Sequence, residues 1–209
     1  MPAEISTSDP FGRAIVQAIR EHAYESVLEI GSMDGLGSTQ VFIEALRHAG
    51  DPRLVCLETD PERFRHLAWV VREHAWVLPL RQPSVSMASL TPRDFDRDVW
   101  GSPHNHLRYP RDLVESWWGE TMDQMRSGEA GFLEMNTDTF DAVLVDGGEF
   151  TGYDDYRLAK DRCRCLMLDD VHHAYKCARA HAELAADPAW RLHWQSPHVR
   201  NGAAIWVRT

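Results

Sequence analysis

Two acidic turns carry the chemistry that can be read from this chain. Val145-Asp146-Gly147-Gly148-Glu149 and Leu168-Asp169-Asp170-Val171-His172 each close an apolar run that reads as a buried strand. Ligands of open α/β sheets collect at the carboxyl ends of parallel strands, so acids at those ends are candidates for chemistry. A third apolar run, Ser26-Val27-Leu28-Glu29-Ile30, leads into Gly31-Ser32-Met33-Asp34-Gly35-Leu36-Gly37-Ser38-Thr39, a glycine-rich turn that opens a helix. A cofactor at such a turn approaches the backbone closely, and a side chain at Gly31 or Gly35 would fill that space. The following strand ends Leu57-Glu58-Thr59-Asp60-Pro61, which places Glu58 where a carboxylate accepts hydrogen bonds from two ribose hydroxyls. Asp60, just before Pro61, reads as a helix cap. Together these residues describe a nucleotide-type cofactor beside a cluster of carboxylates. The glycine order, G-x-x-x-G-x-G, is not the G-x-G-x-x-G of dinucleotide sites and argues against nicotinamide or flavin.

These residues need a scaffold, and the pattern of the chain supplies one. Asp9 and Pro10 announce a first helix in which Phe11, Ile15 and Ile19 repeat at i, i+4. Strands are then expected at 26–31, 53–58, 75–80, 140–146 and 164–169, with helices at 38–49 and 61–74. Strands alternating with helices imply right-handed crossovers and a parallel sheet covered on both faces. The segments 190–194 and 203–207 flank Ser196-Pro197-His198-Val199-Arg200-Asn201-Gly202 and read as an antiparallel hairpin that closes the sheet. The predicted fold class is α/β. It comprises a seven-stranded, mostly parallel Rossmann-like sheet with an antiparallel C-terminal hairpin, within a single domain spanning 1–209.

Residues 84–137 are too long for an ordinary connection. They contain Pro92, Pro103 and Pro110, then Leu113, Trp117, Thr121 and Met125 at i, i+4 spacing before Gly128. The spacing predicts a loop, a helix and a loop inserted over the carboxyl edge of the sheet, a candidate lid or acceptor-binding element. A surface excursion with a small core of its own is the alternative. Trp100, Trp117 and Trp118 in this insertion offer ring faces to a sugar or aromatic acceptor, or to a second copy of the chain. Trp69, Trp76, Trp190, Trp194 and Trp206 fall in regular elements and are expected to pack in or against the core.

The chain has 209 residues and carries 22 basic against 32 acidic side chains, a net charge of −10. Such a balance argues against nucleic acid as a partner, because phosphodiester binding rests on clustered Lys and Arg. No apolar run reaches the roughly 20 residues that span a bilayer, and the first residues lack the pattern of a signal peptide. A soluble, cytoplasmic protein with no membrane partner is expected. The four cysteines, Cys56, Cys163, Cys165 and Cys177, have neither metal-site spacing nor the density of a disulfide scaffold. They read as reduced, packed thiols, with Cys163 and Cys165 sharing one strand face.

The first motif, Val27-Leu28-Glu29-Ile30-Gly31-Ser32-Met33-Asp34-Gly35, resembles that of class I S-adenosylmethionine-dependent methyltransferases, in particular the small-molecule O-methyltransferase branch. Val145-Asp146-Gly147-Gly148-Glu149-Phe150-Thr151-Gly152-Tyr153, Leu168-Asp169-Asp170 and Arg200-Asn201-Gly202 extend the likeness over roughly three quarters of the chain, judged by element order. The insertion falls outside it.

The resemblance implies S-adenosylmethionine as cofactor and a small-molecule hydroxyl, of a sugar or natural product, as acceptor. It implies that Glu29 and Gly31 lie near the methionine portion and that Ser32 and Gly35 line the cofactor turn. Glu58 would hold the ribose, and Ser84 and Val85 would lie near the adenine. In the catechol-type members an acid ending the fourth strand and an acidic pair ending the fifth bind a divalent cation. Asp146, Asp169 and Asp170 stand at those positions, and three oxygen donors suit Mg²⁺. A cation there would activate and orient the acceptor hydroxyl. The family's general base, usually Lys or His, falls at Glu149, and His172 or His173 could substitute for it.

Asp169 and Asp170 could also cap the following helix. His104 and His106 have an alternating spacing but no accompanying acidic or cysteine motif, and read as a solvated loop. Other readings stay open: a metal-independent O- or N-methyltransferase, a non-catalytic cofactor-binding module acting through the Trp-rich insertion, and an oxidoreductase disfavoured by the glycine order. The insertion is also the expected place for a homo-oligomer contact.

Overall fold

The structure is a computed structural model that describes residues 5–92, 94–101, 109–126, 130–172 and 174–209. His104, His106, Gly128 and His173 lie outside the described residues. The strands are β1 (Ser26–Ile30), β2 (Arg53–Leu57), β3 (Val77–Leu80), β4 (Phe140–Val145), β5 (Cys163–Asp169), β6 (Trp190–Ser196) and β7 (Ala203–Arg208). They form one seven-stranded sheet in the order β3-β2-β1-β4-β5-β7-β6. The first five are parallel, β7 runs antiparallel to β5, and β6 antiparallel to β7. This is the mixed sheet that the alternation of elements predicts.

Local chemistry accounts for the helix starts. In α1 (Pro10–Glu21) the Asp9 carboxylate accepts from the amides of Phe11 at 2.9 Å and Gly12 at 3.2 Å, and Phe11, Ile15 and Ile19 are buried. α2 (Ser38–Leu46) follows the glycine turn, and α3 (Pro61–Val71) starts from the Asp60 cap. One face of the sheet packs Phe11, Ile15, Val27, Phe42 and Leu54 together. The opposite face packs Leu28, Ile30, Val55, Val143 and Leu166 against the later helices.

Three expectations are corrected. Trp69 is 60 % exposed, because α3 buries only the narrow stripe of Leu67 and Val71. Cys163 belongs to the core cluster of Phe140, its register partner, whereas Cys165 belongs to the other cluster with Ala142 and Met167. All four cysteines are free and buried.

The insertion helix α4 (Arg111–Arg126) does form, but its buried stripe is Val114, Trp118, Thr121, Met122 and Met125. Leu113 is 38 % exposed, and Trp117 is half-buried against the edge of Tyr109. Both candidate stripes have helical spacing. The choice is made by Trp118, which packs edge-on to Phe150 with ring centroids 5.2 Å apart and so cannot stack on an acceptor.

The insertion shares the core of the sheet, because Val85, Leu90, Val99, Trp118 and Phe132 belong to the same cluster as Leu28 and Val143. Polar ties hold it as well. The Asp154 carboxylate of α6 (Gly152–Ala159) accepts from the Thr91 amide at 2.7 Å. Glu134, in the short helix α5 (Phe132–Met135), accepts from the Ser86 hydroxyl at 2.8 Å and the Gly131 amide at 3.1 Å. A π-helical turn, Ala174–Ala178, leads into α7 (Arg179–Ala186). No helix among the described residues is long and apolar enough to cross a membrane.

Asp141 fastens the central pair of strands. Its carboxylate accepts from the amides of Glu25 at 2.8 Å and Ser26 at 3.0 Å and pairs with Arg164 at 2.6 Å. Burial opposes ionisation here, yet these donors hold the carboxyl below its usual range. Asp141→Ala should therefore cost about 1–3 kcal/mol in urea denaturation near neutral pH, because two amides lose their acceptor. A folded-state pKa below the unfolded one stabilises above the ordinary carboxylate range and is lost as pH falls through the folded value. The gap between wild type and variant should accordingly shrink in acid.

Candidate functional site

The strand order reverses direction between β1 and β4, with β2 and β3 on one side and β5 on the other. The crevice at such a switch point is where open α/β sheets bind ligands. Gly31, Ser32, Gly35, Glu58, Asp146, Glu149, Asp170 and His172 lie on the loops that follow the strands at this edge, and Glu29 and Asp169 lie at or near the ends of β1 and β5.

On the β1–β3 side, the amides of Gly31 and Ser32 both donate to the Leu57 carbonyl, at 3.1 and 3.0 Å, and bend the chain away from the sheet. Gly31 has φ +90°, and a Cβ there would sit 2.1 Å from the Asp146 carbonyl oxygen. Gly35 has φ +79°, and its Cβ would sit 2.9 Å from a Leu67 methyl. The space that forbids side chains at both positions is thus taken by the protein itself, which corrects the expectation that a cofactor claims it.

Beneath the turn, Glu29 is fully buried. One of its oxygens accepts from the hydroxyls of Ser32 at 2.7 Å and Thr39 at 2.8 Å. Its other oxygen, Oε1, has no hydrogen-bond partner among the described residues. A buried acceptor without a donor is costly. Glu58, one strand over, is buried and accepts from the Asp60 amide at 2.8 Å. Burial raises its carboxyl above the usual range despite the lowering by that amide. Asp60 caps α3 as expected, accepting from the amides of Glu62 and Arg63 at 2.9 and 2.8 Å. Ser84 is buried at the start of the insertion, and Val85 lies in the core with Gly131 packed on its backbone.

On the β4–β5 side, Asp146, Asp169 and Asp170 come together, with oxygens all within 4.8 Å of one another. Asp170 takes φ +54°, a left-handed conformation that Asp tolerates better than most residues. The amides of Val171 and His172 donate to the Gly202 and Asn201 carbonyls at 3.0 and 2.9 Å, which brings the β6–β7 turn against the acids. From that turn Arg200 grips Asp169, with Nη2 2.8 Å from Oδ1 and Nε 3.2 Å from Oδ2. Asn201 donates to Asp170 Oδ1 at 2.9 Å.

The principal residue that sequence reasoning missed is Lys176. Its side chain is 7 % exposed, and Nζ lies 2.7 Å from both Asp146 Oδ1 and Asp170 Oδ2. Burial lowers the pKa of the amine, but the charges of Asp146, Asp170 and Asp169 outweigh it and hold the value well above the ordinary one. Burial raises Asp146 to about 7 against the lowering by Lys176, and raises Asp169 against the lowering by Arg200. One signal was available, since Lys176 is one of only two lysines in the chain. Asp155, also missed, is buried under Gly147, accepts from the Thr151 hydroxyl at 3.0 Å, and is raised by burial to about 7.

Glu149 is half-buried and close enough to Lys176 for its charge to act on the amine. His172 is exposed, and a Cβ on Gly202 would meet its ring at 3.0 Å. The carboxylates lie where the resemblance would put a divalent cation, but as the residues stand they do not fit one. An ammonium already joins Asp146 to Asp170, and a guanidinium holds Asp169.

No family model and no curated sequence matches the chain. The fold is nevertheless shared with solved methyltransferases. An O-methyltransferase from Bacillus cereus in complex with SAH superposes with a TM-score of 0.60 at 14 % identity, covering 100 % of this chain and 84 % of that one. The O-methyltransferase TomG from Streptomyces achromogenes, involved in tomaymycin synthesis and solved with SAM, gives 0.58 at 17 % identity, with 98 % and 82 % covered. An SAH-bound methyltransferase from Podospora anserina gives 0.59 at 14 %, with 95 % and 77 % covered. The chain therefore has the class I methyltransferase fold.

Gly31→Ala tests the switch point. A left-handed alanine costs about 1–3 kcal/mol in strain, and its methyl would also press on the Asp146 carbonyl. A loss of at least that much unfolding free energy is expected in urea denaturation.

Proposed function

We propose that the chain transfers a methyl group from S-adenosylmethionine to a hydroxyl of a small molecule, of the sugar or natural-product type. The observation that carries this reading is the division of the carboxyl edge at the switch point. The glycine turn, Glu29 and Glu58 lie on one side, and the convergent acids lie on the other.

The residues of the first half suit the cofactor. Glu58 is a buried carboxylate that would accept from two ribose hydroxyls. The unpartnered Glu29 Oε1 beneath the turn lacks the donor that an amino group would bring. When bound, S-adenosylmethionine supplies an electrophilic methyl group on a sulfonium centre. Transfer forms the acceptor O–CH₃ bond, breaks the S–CH₃ bond, and releases the hydroxyl proton to the protein. Glu149 is the proton acceptor in this reading because it follows Asp146 on the same turn and lies near Lys176. His172 is the second choice, since its ring packs beside Gly202 and its charge acts on His181 of α7. The partly buried Trp100 and Trp117 line the insertion that would select the acceptor.

Calorimetric titration with S-adenosylhomocysteine tests the cofactor half, and binding by the chelator-treated protein is expected. Glu58→Ala should weaken it by about 10–100-fold, the scale of a lost hydrogen bond to a charged group. A protein that binds NADH and not S-adenosylhomocysteine would overturn the reading. Once an acceptor is found by screening, Glu149→Gln should lower kcat by about 10²–10⁴-fold, the usual contribution of a general base. His172→Ala should leave kcat within a few-fold of wild type, and the opposite ranking would move the proton to the imidazole.

A further inference from the structure

We propose that Lys176 stands in this chain where the catechol-type resemblance places a divalent cation, so that the positive charge of the site is built into the protein. The inference rests on the methyltransferase reading for its chemical meaning, and on the geometry alone for the charge balance.

The ammonium bridges two acids from different strand ends, at 2.7 Å from each, and its side chain is almost wholly buried. The remaining partners are also engaged. Asp169 is held by Arg200 and the second oxygen of Asp170 by Asn201. Two fixed cations thus face the three carboxylates, with Asp9 also 3.4 Å from Arg200 and Glu149 near Lys176, so the buried acids are paired rather than left as free charges. Mg²⁺ requires near-octahedral oxygen ligands at about 2.0–2.1 Å and gives up its water reluctantly. It could bind Asp146 and Asp170 together only by displacing the ammonium, since two cations between the same carboxylates repel each other strongly.

The backbone around Lys176 is built to keep the amine in place. The π-helical turn Ala174–Ala178 carries Tyr175, Lys176 and Cys177, whose side chains are all buried. Such turns recur at functional sites, where they redirect a side chain. The Tyr175 hydroxyl donates to the Val99 carbonyl, and the Cys177 thiol lies 3.7 Å from the Val145 carbonyl of β4. Gly152 at the start of α6 packs directly on the turn, where a Cβ would sit 2.5 Å from the Lys176 carbonyl oxygen. The lysine is therefore braced from the insertion, β4 and α6.

An ammonium offers no open coordination positions. The acceptor would then present a single hydroxyl, recognised by side chains, rather than an adjacent oxygen pair that chelates a metal.

Mn²⁺ binding followed by the loss of its free-ion EPR signal tests this on the full chain, comparing wild type, Asp146→Asn and Lys176→Ala. Wild type is expected to bind no more Mn²⁺ than Asp146→Asn. Lys176→Ala, which leaves Arg200 as the cation paired to the three acids, should bind at least about tenfold more tightly, as expected when a neighbouring positive charge is removed. Wild-type Mn²⁺ binding that Asp146→Asn abolishes would overturn the proposal. A folded Lys176→Ala protein with no gain would overturn it too. Should that variant not fold, the wild-type and Asp146→Asn comparison decides by itself. Calorimetry with S-adenosylhomocysteine in chelator runs in parallel. Its failure would remove the methyltransferase reading while leaving the Mn²⁺ result to judge the cation alone.

Discussion

Three carboxylates gathered within 4.8 Å at the ends of two buried strands repel one another, and the architecture of the carboxyl edge is organised around relieving that repulsion. At such separations each pair of charges costs on the order of a few kcal/mol in a partly screened interior. Lys176 reaches in from the turn before α7 and Arg200 from the turn between β6 and β7. Arg200 lies far in sequence from Asp169, and Lys176 joins the distant Asp146 to Asp170, only 6 residues before it. The cluster therefore welds β4, β5, the last hairpin and α7 into one unit. Removing either cation would leave a buried charge without compensation, the costly way to break an ion pair.

A second constraint is steric. Gly31 presses against the Asp146 carbonyl, so the turn after β1 and the turn after β4 are in van der Waals contact at the switch point. The glycine turn and the acid cluster consequently cannot move independently. A cofactor bound over the first half would have its reactive end delivered toward the second by backbone packing. The insertion adds a third layer, because its apolar residues belong to the same core as β1 and β4. An acceptor site built from it would be as rigid as the sheet where it is buried, and adaptable at half-buried residues such as Trp100 and Trp117.

Much of this was legible in the sequence. The strands and the helices that flank them have strong local signals: apolar runs of strand length, Asp9-Pro10 and Asp60-Pro61 at helix starts, and glycines where the chain must turn. Their order is enough to imply a parallel sheet and to place Asp146, Asp169, Asp170, Glu29 and Glu58 on one edge. On α4 Thr121 and Met125 are buried as expected, but Val114 and Trp118 take the place of Leu113 and Trp117, because the two pairs have the same spacing. Trp69 was expected in the core because composition says nothing about which flank of a helix meets the sheet.

The sequence by itself determined the element order, the caps and the gathering of acids at strand ends, because these follow from short-range periodicity and from the chain direction of parallel strands. Only the tertiary structure decided what those acids are bonded to. Lys176 lies 6 residues from Asp170 but 30 from Asp146, and Arg200 lies 31 from Asp169, so no local pattern relates the cations to the whole cluster. Their meeting depends on a π-helical turn, on Gly152 permitting close approach, and on the hairpin folding back across β5. Charge compensation in a buried cluster is a property of three-dimensional packing, where a few ångströms separate a cluster free to take a metal from one already closed by an ammonium.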